Sequence, residues 1–381
     1  MTNKFDELLE LFKMHDFPTI DSSSIGRLKD KKIILYGAGQ GMQTFYNFVL
    51  NRYRIKARVV IDKKFKEKTY YRGIRAYPPS EFKISKKDME NSIVVITVTR
   101  PEYEREILEY LEDLGIQKNQ IIFAKDFYEF NLPYLPEELQ NEGFNFYLKN
   151  KDKILHSFEL FSDNLSQEIF VNFLKTHMLK KAFPIPCTSS NEQYFPRDIK
   201  LKKGYWKIIH CGAFIGDTIR DLKKNVGKIK SLVCFEPDLR NFNLLRDYLE
   251  CEKENIAEEI IILPCAVYSR EKRLSFKSAG PESTLVERGK SIVQCVALDH
   301  VLINFEPTYI TMDVEGTELE ALKGSEGIIR KYKPDLAICV YHYPNHIWEI
   351  PLYIEQLNLG YKFYLRNHRG FTVETVLYAT T

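Results

Sequence analysis

The chain has 381 residues, of which 44% are hydrophobic, and a single hydrophobic core rarely serves more than about 300 residues. Two domains are therefore expected. Its 55 basic and 52 acidic residues leave a net charge of +3, an excess too small to indicate a nucleic-acid partner. No apolar run approaches a membrane span, no signal core opens the chain, and the seven cysteines contain no C-x-x-C pair. We expect a cytoplasmic protein without disulfides or a zinc ribbon.

The first predicted unit is a strand from Lys32 to Tyr36, followed by a glycine-rich turn and a helical pattern. A second strand, from Ala57 to Ile61, is followed by Asp62, 25 residues after Gly37, where a ribose-binding acid falls in dinucleotide sites. A small Rossmann-like domain is predicted over residues 1–125. Met42 replaces the third fingerprint glycine, so a tight turn that binds nothing is the alternative. The predicted nucleotide site consists of Gly37, Gly39, Gln40 and Asp62.

This N-terminal segment resembles the small nucleotide-sugar-binding domains attached to polysaccharide-building enzymes. The resemblance rests on Tyr36 to Gly39, on Ile61-Asp62 and on Gly73 to Tyr77. It implies that the domain binds a nucleotide or a nucleotide-linked sugar.

Residues 126–200 are predicted to be a helical connector. Apolar residues recur at helical spacing in residues 154–161 and again in residues 169–174. Pro184, Pro186 and Pro196 then interrupt regular structure. We expect this stretch to join the domains and to lie across the mouth of the second.

The second predicted unit, residues 201–381, opens with a strand from Trp206 to Cys211 and a glycine loop from Gly212 to Thr218. Small residues there let the backbone approach a ligand closely. The next strand ends in Glu236, 20 residues after Gly216, where an acid can bind a ribose diol.

The later strands of this unit end at chemically useful residues. Strands over residues 309–312 and 335–341 precede Asp313 and His342. Two last strands within residues 361–379 are joined by a short connection, which predicts an antiparallel hairpin. A mostly parallel sheet that ends in such a hairpin is typical of a methyltransferase rather than of a dehydrogenase.

Residues 192–381 closely resemble the FkbM family of S-adenosylmethionine-dependent methyltransferases. The resemblance rests on motifs at Cys211 to Thr218, Phe235 to Asp238, Met312 to Gly316, Leu322 to Gly324 and Val340 to His342. It implies a class I methyltransferase Rossmann-like fold with a mostly parallel seven-stranded sheet and a C-terminal antiparallel hairpin. It also implies S-adenosylmethionine as the cofactor and O-methylation, often of a sugar hydroxyl in a cell-surface glycan or a natural product.

The resemblance also assigns the cofactor site, with one departure from the family pattern. The family usually has an acid two residues before its first loop glycine, where this chain has His210, and the histidine is expected to weaken or reposition the donor. The predicted cofactor-binding residues are His210, Gly212, Ala213, Phe214, Gly216, Asp217, Thr218, Glu236, Pro237, Asp238 and Ala266.

Asp313, Glu315 and His342 are the candidate catalytic residues. Asp313 and Glu315 point to one face if the strand continues through both, whereas Glu315 could instead begin the following helix. His342 is predicted to be the base, because an ordinary histidine titrates near pH 7. A metal held by these three residues and His368 is an alternative, but their spacing lacks a metal signature, so none is predicted. Predicted acceptor contacts are His346, Arg366 and His368.

The leading hypothesis is an O-methyltransferase that acts on a small-molecule or glycan acceptor. Its N-terminal domain would bind a nucleotide portion of that acceptor or a partner enzyme. A binding or scaffold protein with a degenerate methyltransferase domain is the second hypothesis, suggested by His210 and Met42. A nicotinamide-dependent oxidoreductase that uses the N-terminal glycines and Asp62 is the third.

Overall fold

A computed structural model describes residues 3–13, 23–127, 130, 142–277, 284–286 and 291–381. Helices and strands alternate over most of these residues, and the strands form three β-sheets. The predicted α/β class is confirmed. None of the described helices is long and apolar enough to cross a lipid bilayer.

The first sheet lies in the N-terminal part of the chain. The helices in this part of the chain are α1 (Lys4–Leu11), α2 (Ser23–Leu28), α3 (Gln40–Phe45), α4 (Lys86–Glu90) and α5 (Glu104–Asp113). Its strands are β1 (Lys32–Tyr36), β2 (Ala57–Ile61), β3 (Thr69–Tyr71), β4 (Ile74–Tyr77), β5 (Ser92–Ile96) and β6 (Ile121–Phe123). They are ordered β3-β4-β2-β1-β5-β6, and only β3 and β4 pair antiparallel.

Strands β1 and β5 lie side by side although the chain visits β2, β3 and β4 between them. Every residue of β5 is buried, as expected for an unbroken apolar run covered on both faces. From β1 the chain continues to β2 on one side of β1, and it later forms β5 on the other side of β1. The carboxyl ends of β1 and β5 therefore form the crevice in which ligands of open α/β sheets bind.

Three helices connect this sheet to the next one: α6 (Phe144–Lys149), α7 (Lys151–Leu160) and α8 (Asn164–Leu179). Helix α8 is the most buried of them, because its apolar residues pack on one side against α1 and on another against the C-terminal sheet. The helices predicted around residues 154–161 and 169–174 are present.

The C-terminal sheet has seven strands: β7 (Lys207–Cys211), β8 (Ile229–Phe235), β9 (Ala257–Leu263), β14 (Tyr309–Met312), β15 (Asp335–Cys339), β16 (Lys362–Asn367) and β17 (Thr375–Thr380). Its order is β16-β17-β15-β14-β7-β8-β9. The last two strands form the predicted antiparallel hairpin, and β17 also pairs antiparallel with β15. Strand order reverses between β7 and β14, so their carboxyl ends form the second crevice.

Further helices flank the C-terminal sheet: α9 (Asp217–Asn225), α10 (Leu239–Ile256), α11 (Leu298–Val301), α12 (Glu318–Lys323), α13 (Glu326–Tyr332) and α14 (His346–Gln356). A smaller sheet is inserted after β9. It contains β10 (Ala266–Val267), β11 (Lys272–Lys277), β12 (Thr284–Val286) and β13 (Ser291–Val296), in the order β10-β13-β11-β12.

Candidate active site

The glycine loop after β7 forms one wall of a cavity at the second crevice. Gly212 has a φ of +87°, and a Cβ there would overlap the backbone carbonyl oxygen of Asp313. Gly216 has a φ of +81°, and its Cβ would lie 2.9 Å from the Tyr248 ring. These glycines are needed because the loop packs closely against protein atoms. Of the predicted loop residues, the cavity is lined by Gly212, Phe214, Asp217 and Thr218, while Ala213 is buried.

Glu236 lies at the end of β8 and also lines the cavity. Its Oε2 accepts a hydrogen bond from the backbone N–H of Phe214 (2.8 Å), and its Oε1 accepts one from the N–H of Asp238 (2.8 Å). Burial raises the pKa of Glu236 to about 7, although both hydrogen bonds oppose the shift. The carboxylate is thus fixed by the loop, and it keeps lone pairs for hydroxyl donors in the cavity.

Some of the predicted residues near Glu236 line the cavity, and another supports the loop. Pro237 and Ala266 line the cavity, as predicted. Asp238 is buried and accepts hydrogen bonds from the N–H groups of Arg240 (2.9 Å) and Asn241 (3.3 Å). Asp238 therefore caps α10 and orients the loop instead of lining the cavity.

The prediction that His210 contacts the cofactor is wrong for this structure. The ring is buried, it is absent from the cavity lining, and its Nδ1 lies 2.6 Å from Oγ1 of Thr311 on the adjacent strand β14. Burial lowers the pKa of His210 to about 4, so the ring is neutral near pH 7. It occupies a core position and brings no positive charge to the loop.

Asp313 and Glu315 also line the cavity, beyond the end of β14 and on the other side of β7 from Glu236. Oδ2 of Asp313 accepts a hydrogen bond from the Tyr194 hydroxyl (2.9 Å). Glu315 has a left-handed backbone with a φ of +55°, and α12 begins only at Glu318. Glu315 thus does not begin the helix, and burial raises the pKa of both cavity carboxyls.

Glu318 is a site residue that the sequence analysis missed. It is fully buried, and its Oε1 accepts hydrogen bonds from the N–H groups of Val314 (3.0 Å) and Gly316 (3.3 Å). It therefore fixes the turn that carries Asp313 and Glu315. Its place three residues after Glu315 at a helix start was the available signal, but that signal also fits an exposed capping acid.

His342 lies between these three carboxylates. Its Nδ1 is 2.9 Å from Oε1 of Glu318, and its Nε2 is 3.4 Å from Oδ1 of Asp313 and 3.3 Å from Oε2 of Glu315. Neither ring nitrogen is aligned for a hydrogen bond, so these contacts are ion pairs. Burial opposes the charge, but Glu318 and Glu315 outweigh it and hold the pKa of His342 well above its ordinary value.

The predicted role of His342 as the base therefore does not fit this arrangement. A histidine that already holds its proton among carboxylates cannot accept another near pH 7. The pKa of Glu318 shifts in the opposite direction. Burial raises it, but the charges and contacts of His342 and His346 have a larger effect and lower it below its ordinary value. The four residues form a cluster of three carboxyl groups around one imidazole, and two of them, Asp313 and Glu315, line the cavity.

The three predicted acceptor contacts lie in internal networks. His346 is buried, with Nδ1 3.1 Å from Oε2 of Glu318. Arg366 is buried and paired with Asp163 and Asp198, each at 2.7 Å, so it ties the connector to β16. None of the three lines the cavity.

The buried ring of His368 has its Nε2 3.0 Å from the Tyr378 hydroxyl and its Nδ1 3.0 Å from Oγ1 of Thr188. His368 is thus separate from the cluster of Asp313, Glu315 and His342. It cannot be the further metal ligand that was considered from the sequence. Polar residues next to strands look alike in sequence whether they face a cavity or a neighbouring element.

Backbone strain is concentrated at the cavity. Ten described residues other than glycine have a positive φ, and four of them line it: Tyr194, Phe214, Glu315 and Glu374. Such conformations cost about 1 to 3 kcal/mol each and persist where the surrounding structure enforces them. Gln193 and Tyr194 belong to the predicted connector, and they line the cavity together with Arg369 and Glu374, which the sequence analysis did not single out.

The N-terminal glycine turn reaches the same cavity. Gln40, at the start of α3, is among its lining residues. Arg369 lines it from the other side and donates a hydrogen bond from Nη1 to Oγ1 of Thr99 (2.9 Å), just beyond β5. The two crevices therefore adjoin, although Gly37 and Gly39 do not line the cavity.

Comparisons with known proteins agree with this geometry. The profile of the methyltransferase FkbM domain matches residues 210–363, and that of the C2185-like N-terminal domain matches residues 29–122. Methyltransferase FkbM from Methylobacillus flagellatus KT is similar over 99% of this chain and 99% of its own, with a TM-score of 0.63 and 19% identity. Fibrillarin from Aeropyrum pernix aligns over 48% of this chain and 70% of its own, with a TM-score of 0.31 and 12% identity. No curated protein matches the chain.

The similarity to the Methylobacillus structure supports the fold alone, because the identity is only 19%. The domain match adds the enzyme class. Together they confirm the predicted class I methyltransferase fold and identify a methyltransferase domain in residues 210–363. Residues 210–363 of this chain therefore match a methyltransferase FkbM domain, within a fold that is similar over the whole chain to a methyltransferase.

Proposed function

We propose that the protein transfers a methyl group to a hydroxyl of a sugar in a glycan or natural product under construction. The observation that carries the proposal is one cavity whose lining follows the strand order β8-β7-β14: Glu236 and the glycine loop form what we call the donor wall, and Asp313 and Glu315 beyond β14 form the acceptor wall. The first wall suits the donor, and the second presents carboxylates to a hydroxyl.

The residues of the donor wall fit S-adenosylmethionine. Bound there, it would supply a methyl group activated by a positively charged sulfonium. Glu236 would accept hydrogen bonds from the two ribose hydroxyls, because both of its oxygens are oriented by backbone N–H groups. The loop from Gly212 to Thr218 would hold the methionine portion, and Ala266 would border the adenine.

The acceptor wall supplies positioning and a place for the hydroxyl proton. An alcohol is deprotonated only far above neutral pH, so a carboxylate close to the oxygen assists the reaction. Asp313 is the better candidate, because Tyr194 holds its Oδ2 while Oδ1 makes no hydrogen bond among the described residues. His342 and Glu318 position Asp313 and Glu315, so that the acceptor oxygen is held in line with the methyl group.

The N-terminal domain would hold the nucleotide portion of a nucleotide-linked acceptor. The support is that Gln40, at the start of α3, lines the cavity, so a nucleotide at the N-terminal crevice would carry its sugar toward Asp313. Binding of a partner enzyme is the alternative role for this domain.

The test is a methyl-transfer screen against nucleotide sugars and against capsule or lipopolysaccharide fragments, with methylation measured as mass gain on the acceptor. For the acceptor found, Asp313→Asn should lower turnover by about 10² to 10⁴-fold and leave donor affinity unchanged. Glu349→Gln, a carboxylate change on α14 outside the cavity lining, is the control. Mass gain on amine or thiol acceptors only, or full turnover by Asp313→Asn, would reject the proposal.

A further inference from the structure

The cluster of Asp313, Glu315 and His342 has the composition and spacing of a metal site. One ligand atom from each residue lies within 4.8 Å of the other two. The Nε2 of His342 is 3.4 Å from Oδ1 of Asp313 and 3.3 Å from Oε2 of Glu315. Adjacent ligands of an octahedral ion with bonds of about 2.1 to 2.4 Å lie about 3.0 to 3.4 Å apart. The two distances therefore suit a shared cation.

A second observation concerns the two atoms that face the centre of the cluster. Nε2 of His342 and Oδ1 of Asp313 are both buried, and neither makes a hydrogen bond in the part of the chain that the structure describes. The His342 side chain is 4% exposed. Buried polar atoms in folded proteins nearly always make hydrogen bonds, whereas the contacts of these two atoms are ion pairs of 3.3 and 3.4 Å, a separation that a shared cation would bridge.

The surrounding residues orient the candidate ligands as those around known metal sites do. The Nδ1 side of His342 faces Glu318, which is fixed in turn by the N–H groups of Val314 and Gly316. The Tyr194 hydroxyl holds the other oxygen of Asp313. A carboxylate behind a histidine and a hydrogen bond behind a ligating carboxylate are the usual outer contacts of a metal ion.

We propose that Oδ1 of Asp313, Oε2 of Glu315 and Nε2 of His342 bind one divalent cation at the acceptor wall of the cavity. Two carboxylates with one imidazole suit Mn²⁺ or a similar ion, and three protein ligands leave positions for water or substrate oxygens. The imidazole must be neutral at Nε2 to bind, so uptake releases a proton from His342. This revises the expectation that the site holds no metal.

The role of this cation, though not its binding, rests on the proposed methyl transfer to a hydroxyl. A hydroxyl bound to the cation has a lower pKa, so it would lose its proton more easily, to water or to a carboxylate oxygen that does not bind the cation. A vicinal diol on a sugar would bind through both oxygens, which favours acceptors with adjacent hydroxyls.

The test is a titration of the full-length, chelator-treated protein with Mn²⁺, with the free ion measured by electron paramagnetic resonance. We expect saturable uptake of one Mn²⁺ per chain, and at least tenfold weaker binding in Asp313→Asn and in His342→Gln. Glu318→Gln should weaken binding by about 10 to 100-fold. Glu349→Gln removes a carboxylate on α14 outside the cavity lining and should bind Mn²⁺ as the parent protein does.

A measurement on the unmodified protein covers the case in which a variant fails to fold. Electron spin echo modulation of the Mn²⁺ complex should show coupling to an imidazole nitrogen. No saturable uptake, or uptake without that coupling, overturns the cation site. S-adenosylhomocysteine binding measured without metal is a separate readout: donor binding without Mn²⁺ uptake rejects only the cation, and Mn²⁺ uptake without donor binding rejects the proposed function.

Discussion

The two glycine loops of this chain are held by the same kind of hydrogen bond, but different groups lie in front of them. In each, an acid at the end of the second strand accepts a hydrogen bond from a loop N–H: Asp62 from Ala38 (2.6 Å) and Glu236 from Phe214 (2.8 Å). Each acid also accepts a hydrogen bond from the N–H two residues later. The pairing of loop and acid is thus a structural device in both units.

The two acids, Glu236 and Asp62, differ in their surroundings. Glu236 is buried at the cavity, and its pKa is raised to about 7 by that burial. Asp62 is only partly buried, and Nζ of Lys64 donates a hydrogen bond to the carbonyl of Ala38 (2.5 Å) across the front of the N-terminal loop. The same motif therefore opens onto a cavity in one unit and is covered by a lysine in the other.

The largest expected effect is on stability, in a comparison of one glycine from each loop. Gly212→Ala should lower the free energy of unfolding by about 3 to 5 kcal/mol, because φ is +87° and the new Cβ overlaps the Asp313 carbonyl. Gly39→Ala should change it by less than about 1 kcal/mol, since no atom lies within 4 Å of its Cβ. Urea unfolding of both variants provides the measurement. Equal losses would mean that the two loops are packed alike.

The second prediction concerns donor binding and compares the two acids. Glu236→Gln should weaken S-adenosylhomocysteine binding by about 100-fold or more, because a carboxylate that accepts two hydroxyl hydrogen bonds is lost. Asp62→Asn should leave that affinity within about threefold, as it lies in the other unit. Isothermal titration calorimetry measures both. An equal loss in the two variants would place the donor between the units.

The strands of both units were predictable because buried strands are short apolar runs, and those ending at Tyr36, Ile61 and Met312 have the predicted bounds. It was harder to predict from the sequence which side chains face the cavity. Asp313 and Glu236 were found because they directly follow strands that meet at the crevice. Arg366 and His368 also belong to or follow a strand, yet their partners come from residues far away in the chain. Their burial depends on tertiary contacts that no local pattern reports.

A third prediction follows from the raised pKa of Glu236. Ribose hydroxyls donate to the ionised form, so donor affinity should fall about tenfold for each pH unit below about 7 and level off above it. The effect on stability has the opposite sign: a raised folded pKa adds stability below pH 4.5, the ordinary value, that is lost as the pH rises through about 7. Glu236→Gln should abolish both dependences. A donor affinity that is flat between pH 5.5 and pH 8.5, measured by calorimetry, would show that Glu236 is not the group that binds the ribose.

The smallest expected effect is at the residue two places before the first glycine of each loop. This residue is Leu35 in the N-terminal unit and His210 in the C-terminal unit, and both are buried core side chains. His210→Leu should therefore keep donor affinity within about threefold, while loss of the hydrogen bond to Thr311 lowers the free energy of unfolding by about 1 to 2 kcal/mol.

His210→Asp, which restores the acid usual in the FkbM family, is the informative contrast. A carboxylate at this buried position would face Thr311 and Tyr194, neither of which is cationic, so it should destabilise the fold more than leucine does. Calorimetry and urea unfolding of the two variants separate the roles. A tenfold loss of donor affinity in His210→Leu with an unchanged unfolding curve would mean that the histidine acts on the cofactor, and that the two loops differ in their strands as well as in what lies before them.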